Sequence, residues 1–190
     1  WGDKVPYEMN ISFLDSMKGT IDKIDNFKIE RFICAHAIML SFEGIPAIYI
    51  HSLLGTKNDY EKLNDPSKYR AINRYQWQKK ELYKQLNDPG SENHNILKRL
   101  NHLLSIRSKQ KAFHPNATQF TLDLGDIFFG IWRQDNKRIQ SIFCIHNISD
   151  VEQNFKLSSI NLVEGDKWYD LVSKKNIEDI DAVSYTHLTL

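Results

Sequence analysis

The chain has almost no net charge: its 190 residues carry 25 Lys plus Arg against 24 Asp plus Glu, a balance of +1 with neutral histidines. That excludes the concentrated positive field by which proteins are drawn to nucleic acid or to an anionic membrane. No apolar run approaches the ~20 residues that span a bilayer. Cysteine is scarce, with only Cys34 and Cys144. Each lies inside an apolar run, without a partner at metal-ligand spacing, and reads as a reduced, buried thiol, a disulfide being the minor alternative. The seven histidines are scattered and form neither HExxH nor HxxxH, so no metal and no cofactor is expected. No internal repeat or low-complexity tract appears, and no signal peptide is visible in this stretch. The chain opens on Trp1 rather than Met and reads as a fragment whose N-terminal part is missing.

What is present is an ordinary globular composition, 41% hydrophobic and 26% charged, enough for one or two small domains. The chain is organised around Gly44-Ile45-Pro46-Ala47-Ile48-Tyr49-Ile50-His51. This short run, rich in β-branched and aromatic residues, reads as a strand buried on both faces, as in parallel sheets. Before it, Phe32, Ile33, Ala35, His36, Ala37, Met39 and Leu40 give 29–42 the spacing of a helix with a broad apolar face, ended by Gly44. A shorter helix is expected after Asn10 as N-cap. The polar stretch 52–92 reads as a long loop with a short helix near 77–87, followed by an amphipathic helix over 93–109. Helix, short loop, strand and long loop are the order of an α/β barrel repeat, and loops leaving the carboxyl ends of barrel strands carry active sites. Beyond Pro115 the texture changes to short β-rich runs at 118–124, 127–133, 139–147 and 151–157, separated by turn signals. These predict an antiparallel meander or sandwich.

The string GIPAIYIHSLLGTKND followed by YRAINR, with PYEMN near the start and FHP at Phe113-His114-Pro115, resembles the last barrel strand and following loop of the alpha-amylase superfamily, and within it the sucrose phosphorylase subgroup. The resemblance implies an α/β plus all-β architecture: residues 1–114 as the C-terminal portion of a (β/α)8 TIM barrel, then 115–182 as a small antiparallel β domain. It implies an enzyme, a retaining α-glucoside phosphorylase that moves glucosyl to phosphate through a covalent glucosyl-enzyme. The expected partners are a sugar substrate and inorganic phosphate, in the cytoplasm. Glucosylglycerate or sucrose 6-phosphate phosphorolysis, or hydrolysis on the same fold, are the nearest alternatives; a non-catalytic carbohydrate-binding β module is the alternative of another class.

Retaining glucoside chemistry needs two carboxyl groups about 5 Å apart. In the superfamily the catalytic carboxylates lie on earlier strands, so the resemblance places them before residue 1 and no catalytic residue is assigned here. It maps the arginine that contacts the bound glucosyl unit onto Arg70, whose rigid donor fork suits sugar hydroxyls. It also aligns Pro6-Tyr7-Glu8 with a loop on the acceptor side, where Tyr7 would stack on a sugar face and Glu8 would bond acceptor hydroxyls. From position alone, His51 closes the expected strand, as a ligand contact or a structural histidine. Asn58-Asp59 either lines the pocket or shapes the turn. Tyr75 and Trp77 read as loop packing, and the aromatics of the β region (Phe128, Phe129, Trp132, Phe143, Trp168 and Tyr169) as core. The last eight residues, 183–190, match the in-frame translation of a transposase adapter used for sequencing libraries. They are expected to be a non-native tail, the native sequence stopping near Ala182.

Overall fold

In the computed structural model the described residues are 9–160, 167–177 and 183–185. The expectations for Tyr7 and Glu8 lie outside them, as does the expected tail 183–190 except for Val183–Tyr185. The elements in chain order are α1 (Phe13–Ser16), α2 (Lys28–Ser41), α3 (Ile50–Leu53), two 3-10 helices (Tyr60–Asn64 and Pro66–Ala71), α4 (Lys79–Asn87) and α5 (Glu92–Arg107). The strands follow: β1 (Thr118–Leu122), β2 (Phe128–Gln134), β3 (Ser141–Asn147), β4 (Gln153–Phe155), β5 (Trp168–Asp170), β6 (Lys175–Ile177) and β7 (Val183–Tyr185). The chain divides into two compact units, 1–32 with 48–98, and 33–47 with 99–190.

In the first unit, α1 is one turn long. Its N-cap is Ser12, not Asn10: the Ser12 hydroxyl accepts from the Asp15 N–H at 3.2 Å. Leu14 and Asp15 are buried beneath it, and Phe13 packs on Phe32 with ring centroids 5.4 Å apart. The long polar stretch is fastened by specific bonds rather than by an apolar core. Glu92 at the start of α5 holds Lys28 at 2.7 Å and Lys57 at 2.8 Å, and Asn93 donates to the Leu54 and Gly55 carbonyls. Gly55 has φ +60°, and a Cβ there would stand 2.8 Å from Ile96 Cδ1. Both the backbone sign and the close approach of α5 therefore demand glycine.

The segment expected to be a buried strand does not form one. Ile45 is 84% exposed, Tyr49 55% and Ile50 53%, and among the described residues no strand pairs with it. Tyr49 keeps an extended backbone (φ −65°, ψ 136°) but serves as the N-cap residue of α3, whose turn closes through Leu53 N–H to Tyr49 O at 3.0 Å. An apolar run supplies the propensity for a strand, while the strand itself needs a neighbour to accept its backbone bonds. His51 accordingly lies in a helical turn, not at a strand end.

In the second unit, β1, β2 and β3 form an antiparallel meander with β2 central, in a register that pairs Phe120 with Trp132 and Trp132 with Phe143. Residues 142–147 of β3 are all buried. Phe143, Ile145, Phe155, Leu157 and Ile160 make the core, with Trp132 and Trp168 against it. Trp132 stacks on Phe143 at 5.5 Å and Trp168 meets Phe143 at 5.3 Å, so these aromatics are committed to packing. Two short antiparallel pairings, the local β5 with β6 and the long-range β4 with β7, complete the strands. β5 and β6 fall beyond the runs that the sequence texture marked.

The C-terminal carbonyls of α2 carry the negative end of its dipole. Two buried arginines cover them. Arg107 donates to Leu40 O and Gly44 O, both at 2.9 Å, and Arg133 donates to Ser41 O at 3.2 Å. The Phe113 ring lies under both guanidinium groups, at 5.0 and 5.8 Å. Gly44, at φ +88°, turns the chain out of the helix.

Candidate functional site

The first unit contains a cavity of about 180 Å3. Its apolar walls are Ile11, Phe13, Leu14 and Tyr49, and its polar groups come from Ser12, His51, Ser52, Thr56 and Asn73. Three elements bring these together: the N-terminus of α1, the turn of α3 with the residues after it, and the exit from the second 3-10 helix.

Thr56 is 2% exposed and ties the polar wall together. The Trp77 indole N–H donates to its Oγ1 at 2.9 Å, and His51 Nδ1 lies 3.2 Å from the same oxygen. An indole N–H can only donate. A buried hydroxyl hydrogen must also find an acceptor, so the Thr56 O–H is assigned to His51 Nδ1 and the imidazole proton to Nε2. Burial holds the His51 pKa below its ordinary value, which keeps the ring neutral near pH 7. Tyr49 sits edge-on to His51 at 5.1 Å. Asn73 contributes an Oδ1 that is buried and lacks a hydrogen-bond partner among the described residues.

The residues proposed from sequence fall in different places. His51 lines the cavity. Asp59 does not. Its N–H donates to Ile72 O at 2.6 Å, and its carboxylate meets Lys62 at 3.7 Å, so it fixes the backbone that leads to Asn73. Asn58 ties the loop to α1 through Ser12 and Asp15. Arg70 lies on the 3-10 helix Pro66–Ala71 with its side chain exposed. At the N-cap of that helix Asp65 pairs with Lys68 at 2.8 Å, which with the Ser67 bonds lowers its pKa to about 2. Tyr75 and Trp77 pack edge to face at 4.9 Å, as loop packing requires. Asn73 and Thr56 were missed as site residues. Asn73 stands inside the YRAINR string, where Arg70 drew the functional reading.

In the second unit a wider groove of about 410 Å3 is lined by Gly44, Pro46, Arg107, Lys111, Phe113 and His114 among others. Its guanidinium group is already engaged by the α2 carbonyls. Among the described residues, no group of three or more His, Cys, Asp or Glu side chains is placed to hold a metal ion, and no helix is long and apolar enough to cross a membrane.

Helices followed by antiparallel sheets in this order define a class. A pullulanase from Anoxybacillus sp. LM18-11, in complex with maltotetraose, matches 94% of this chain and 25% of its own with a TM-score of 0.62 at 14% identity. The fold is thus like that of the matching quarter of the pullulanase. Sequence narrows the class. The chain is 35% identical over 171 residues to the glucosylglycerate phosphorylase of Allomeiothermus silvanus, covering 90% of this chain and 30% of that relative. It is 34% identical over 176 residues to the glucosylglycerate phosphorylase of Escherichia coli, covering 93% and 30%. To the sucrose phosphorylase of Agrobacterium vitis it is 29% identical over 121 residues, covering 64% and 22%. No protein-family model matches the chain. The chain is a homologue of the glucosylglycerate and sucrose phosphorylases, and it spans about 30% of the length of the first two relatives.

Proposed function

We propose that this chain is part of a retaining glycoside phosphorylase that transfers a glucosyl unit from an α-glucoside to inorganic phosphate, with glucosylglycerate as the preferred donor. The observation that carries this reading is the match to three glucosylglycerate phosphorylases, at 35, 34 and 31% identity over 90, 93 and 79% of the chain. The sucrose phosphorylase matches are lower in identity and shorter. In the proposed reaction a carboxylate attacks the anomeric carbon while a carboxylic acid protonates the departing oxygen. A phosphate oxygen then displaces the enzyme carboxylate, giving glucose 1-phosphate with retention.

On this reading the carboxylate pair is supplied by the part of the relatives that this chain does not match. Residues 1–114 belong to the C-terminal portion of a barrel, and 115–182 to the β domain that follows it. The exposure of Ile45, Tyr49 and Ile50 supports a neighbouring part of the protein covering the run 44–51. Arg70 contacts the glucosyl unit, with His51 and Asp59 on the substrate side and Tyr7 and Glu8 on the acceptor side. The enzyme works in the cytoplasm on soluble sugars.

The test is to express the complete enzyme carrying this segment and supply glucosylglycerate, sucrose and sucrose 6-phosphate, each with and without phosphate. Phosphate-dependent release of glucose 1-phosphate, fastest from glucosylglycerate, is expected. Release of free glucose at the same rate with or without phosphate would replace the phosphorylase by a hydrolase of the same fold.

A further inference from the structure

We propose that Thr56 and Trp77 are positioning residues of the substrate site, holding His51 as the tautomer that carries its proton on Nε2, so that the ring meets substrate as a hydrogen-bond donor. The chain of bonds runs one way. The Trp77 indole N–H, which can only donate, is given to Thr56 Oγ1 at 2.9 Å. The Thr56 hydroxyl, 3.2 Å from His51 Nδ1, gives its own hydrogen to that nitrogen. In a neutral imidazole the hydrogen bond made by one nitrogen decides which of the two carries the proton. Nδ1 is the acceptor, so the proton stays on Nε2. Among the described residues, none forms a hydrogen bond with Nε2.

Thr56 grips the histidine twice. It is 2% exposed, and its backbone N–H donates to His51 O at 2.8 Å while its hydroxyl serves the ring. Tyr49 sits edge-on to the imidazole at 5.1 Å and hinders its rotation. Trp77 is held in turn. Tyr75 packs against it at 4.9 Å, and the Tyr75 hydroxyl donates to the Glu81 carboxylate of α4 at 3.1 Å. A polar group that must present one atom in one direction needs support of this kind, from side chains that are themselves fixed. The inference rests on the reading of the chain as part of a glycoside phosphorylase with His51 on the substrate side. The competing account makes the bond from Trp77 to Thr56 a brace of the loop, with His51 incidental to it.

The test uses the complete enzyme carrying this segment, assayed by phosphorolysis of glucosylglycerate. Thr56→Val keeps the shape and removes the hydroxyl, and kcat/KM should fall roughly tenfold, the value of one hydrogen bond. Thr56→Ser restores the hydroxyl and should stay within about threefold of the parent. The amide of His51→Gln donates with no tautomer to lose. In that background Thr56→Val should therefore cost less than about twofold more, because residues acting through one another are not additive. Spectra of the 15N-histidine-labelled enzyme, with His51→Gln assigning the resonance, should show the Nε2–H form in the parent and a mixture of tautomers in Thr56→Val. If Thr56→Val fails to fold, Trp77→Phe carries the same comparison: it should lower kcat/KM severalfold in the parent and leave His51→Gln nearly unchanged. A tenfold loss in both backgrounds overturns the inference in favour of the loop brace. Activity of Thr56→Val within twofold of the parent overturns it and leaves the functional reading standing. A parent enzyme that releases no glucose 1-phosphate overturns the functional reading instead, and the spectra then still decide whether Thr56 holds the His51 tautomer.

Discussion

Asp15 and Asn58, 43 positions apart, hold each other: the Asn58 N–H donates to Asp15 Oδ2 at 2.6 Å. Asn58 Oδ1 returns the connection by accepting from the Ser12 N–H, also at 2.6 Å. One asparagine thereby satisfies an N–H at the start of α1 and pins the loop after α3 to that helix. Asp15 is 3% exposed, and Lys18 Nζ reaches its other oxygen at 3.2 Å. Removing the Asn58 side chain strands the Ser12 N–H in a buried position. Asn58→Ala should therefore destabilise the first unit by about 1–3 kcal/mol, measured by urea denaturation, whereas Asn58→Asp, which keeps an acceptor, should cost less. Equal stability of Asn58→Ala and the parent would show that the clasp is incidental.

His146 makes the chain acid-sensitive. It is fully buried on β3, with Nε2 3.0 Å from Ser41 Oγ. The Ser41 hydroxyl donates to Ala37 O at 2.8 Å, so it accepts from Nε2–H and leaves Nδ1 as a buried acceptor without a partner among the described residues. Burial pulls the His146 pKa down to about 4, against about 6.5 in the unfolded chain. Between these values the unfolded state binds a proton that the folded state refuses, so stability rises with pH through this window. Stability attributable to His146 is complete above pH ~6.5 and falls by roughly 3 kcal/mol as the pH drops toward 4. Denaturation curves at pH 7 and 4.5 measure the loss. His146→Gln should flatten that part of the profile, and an unchanged slope in the variant would assign the sensitivity elsewhere.

Both thiols should be unreactive in the native protein. Burial raises Cys34 to about 11 and Cys144 to about 12, and the nucleophile is the thiolate. Both are free and buried. A thiol-reactive chromogenic disulfide should label neither at pH 8 within minutes and should label both in guanidinium. Fast labelling of one thiol in the native state would mean that its segment opens locally.

How much of this was legible in sequence follows from what each signal measures. The periodicity of Phe32, Ile33, Ala37 and Leu40 identified α2, and the short β-rich runs separated by turns gave the β1-β2-β3 meander, because both patterns report burial against elements within the chain. The run 45–50 misled because apolar β-branched residues signal strand propensity, while a strand also needs neighbours to hydrogen-bond. β5 and β6 are three residues each, too short for any period to register. In the site, His51 was visible as the polar end of an apolar run. Asn73 was not, since an asparagine between an isoleucine and an arginine has no pattern. Only its place among the residues around a cavity and its buried, unpartnered Oδ1 distinguish it.

Arg70 is an exposed residue on the 3-10 helix that the sequence resemblance links to substrate. Arg70 sits near the end of the 3-10 helix Pro66–Ala71, three residues before Asn73 and on the same stretch of chain that Asp59 anchors through Ile72 O. It is an exposed residue, and substitutions at the surface usually change stability little. If it contacts the glucosyl unit as proposed, its truncation removes a charged hydrogen bond to substrate, worth about 2–3 kcal/mol. In the complete enzyme Arg70→Ala should then lower kcat/KM by roughly 100-fold. The melting temperature should stay within a degree or two of the parent. Arg70→Lys should recover only part of the activity, because an ammonium cannot reproduce the planar fork. A steady-state assay of phosphate-dependent glucose 1-phosphate release decides the matter. Activity of Arg70→Ala within twofold of the parent would remove Arg70 from the substrate site while leaving the phosphorylase reading intact.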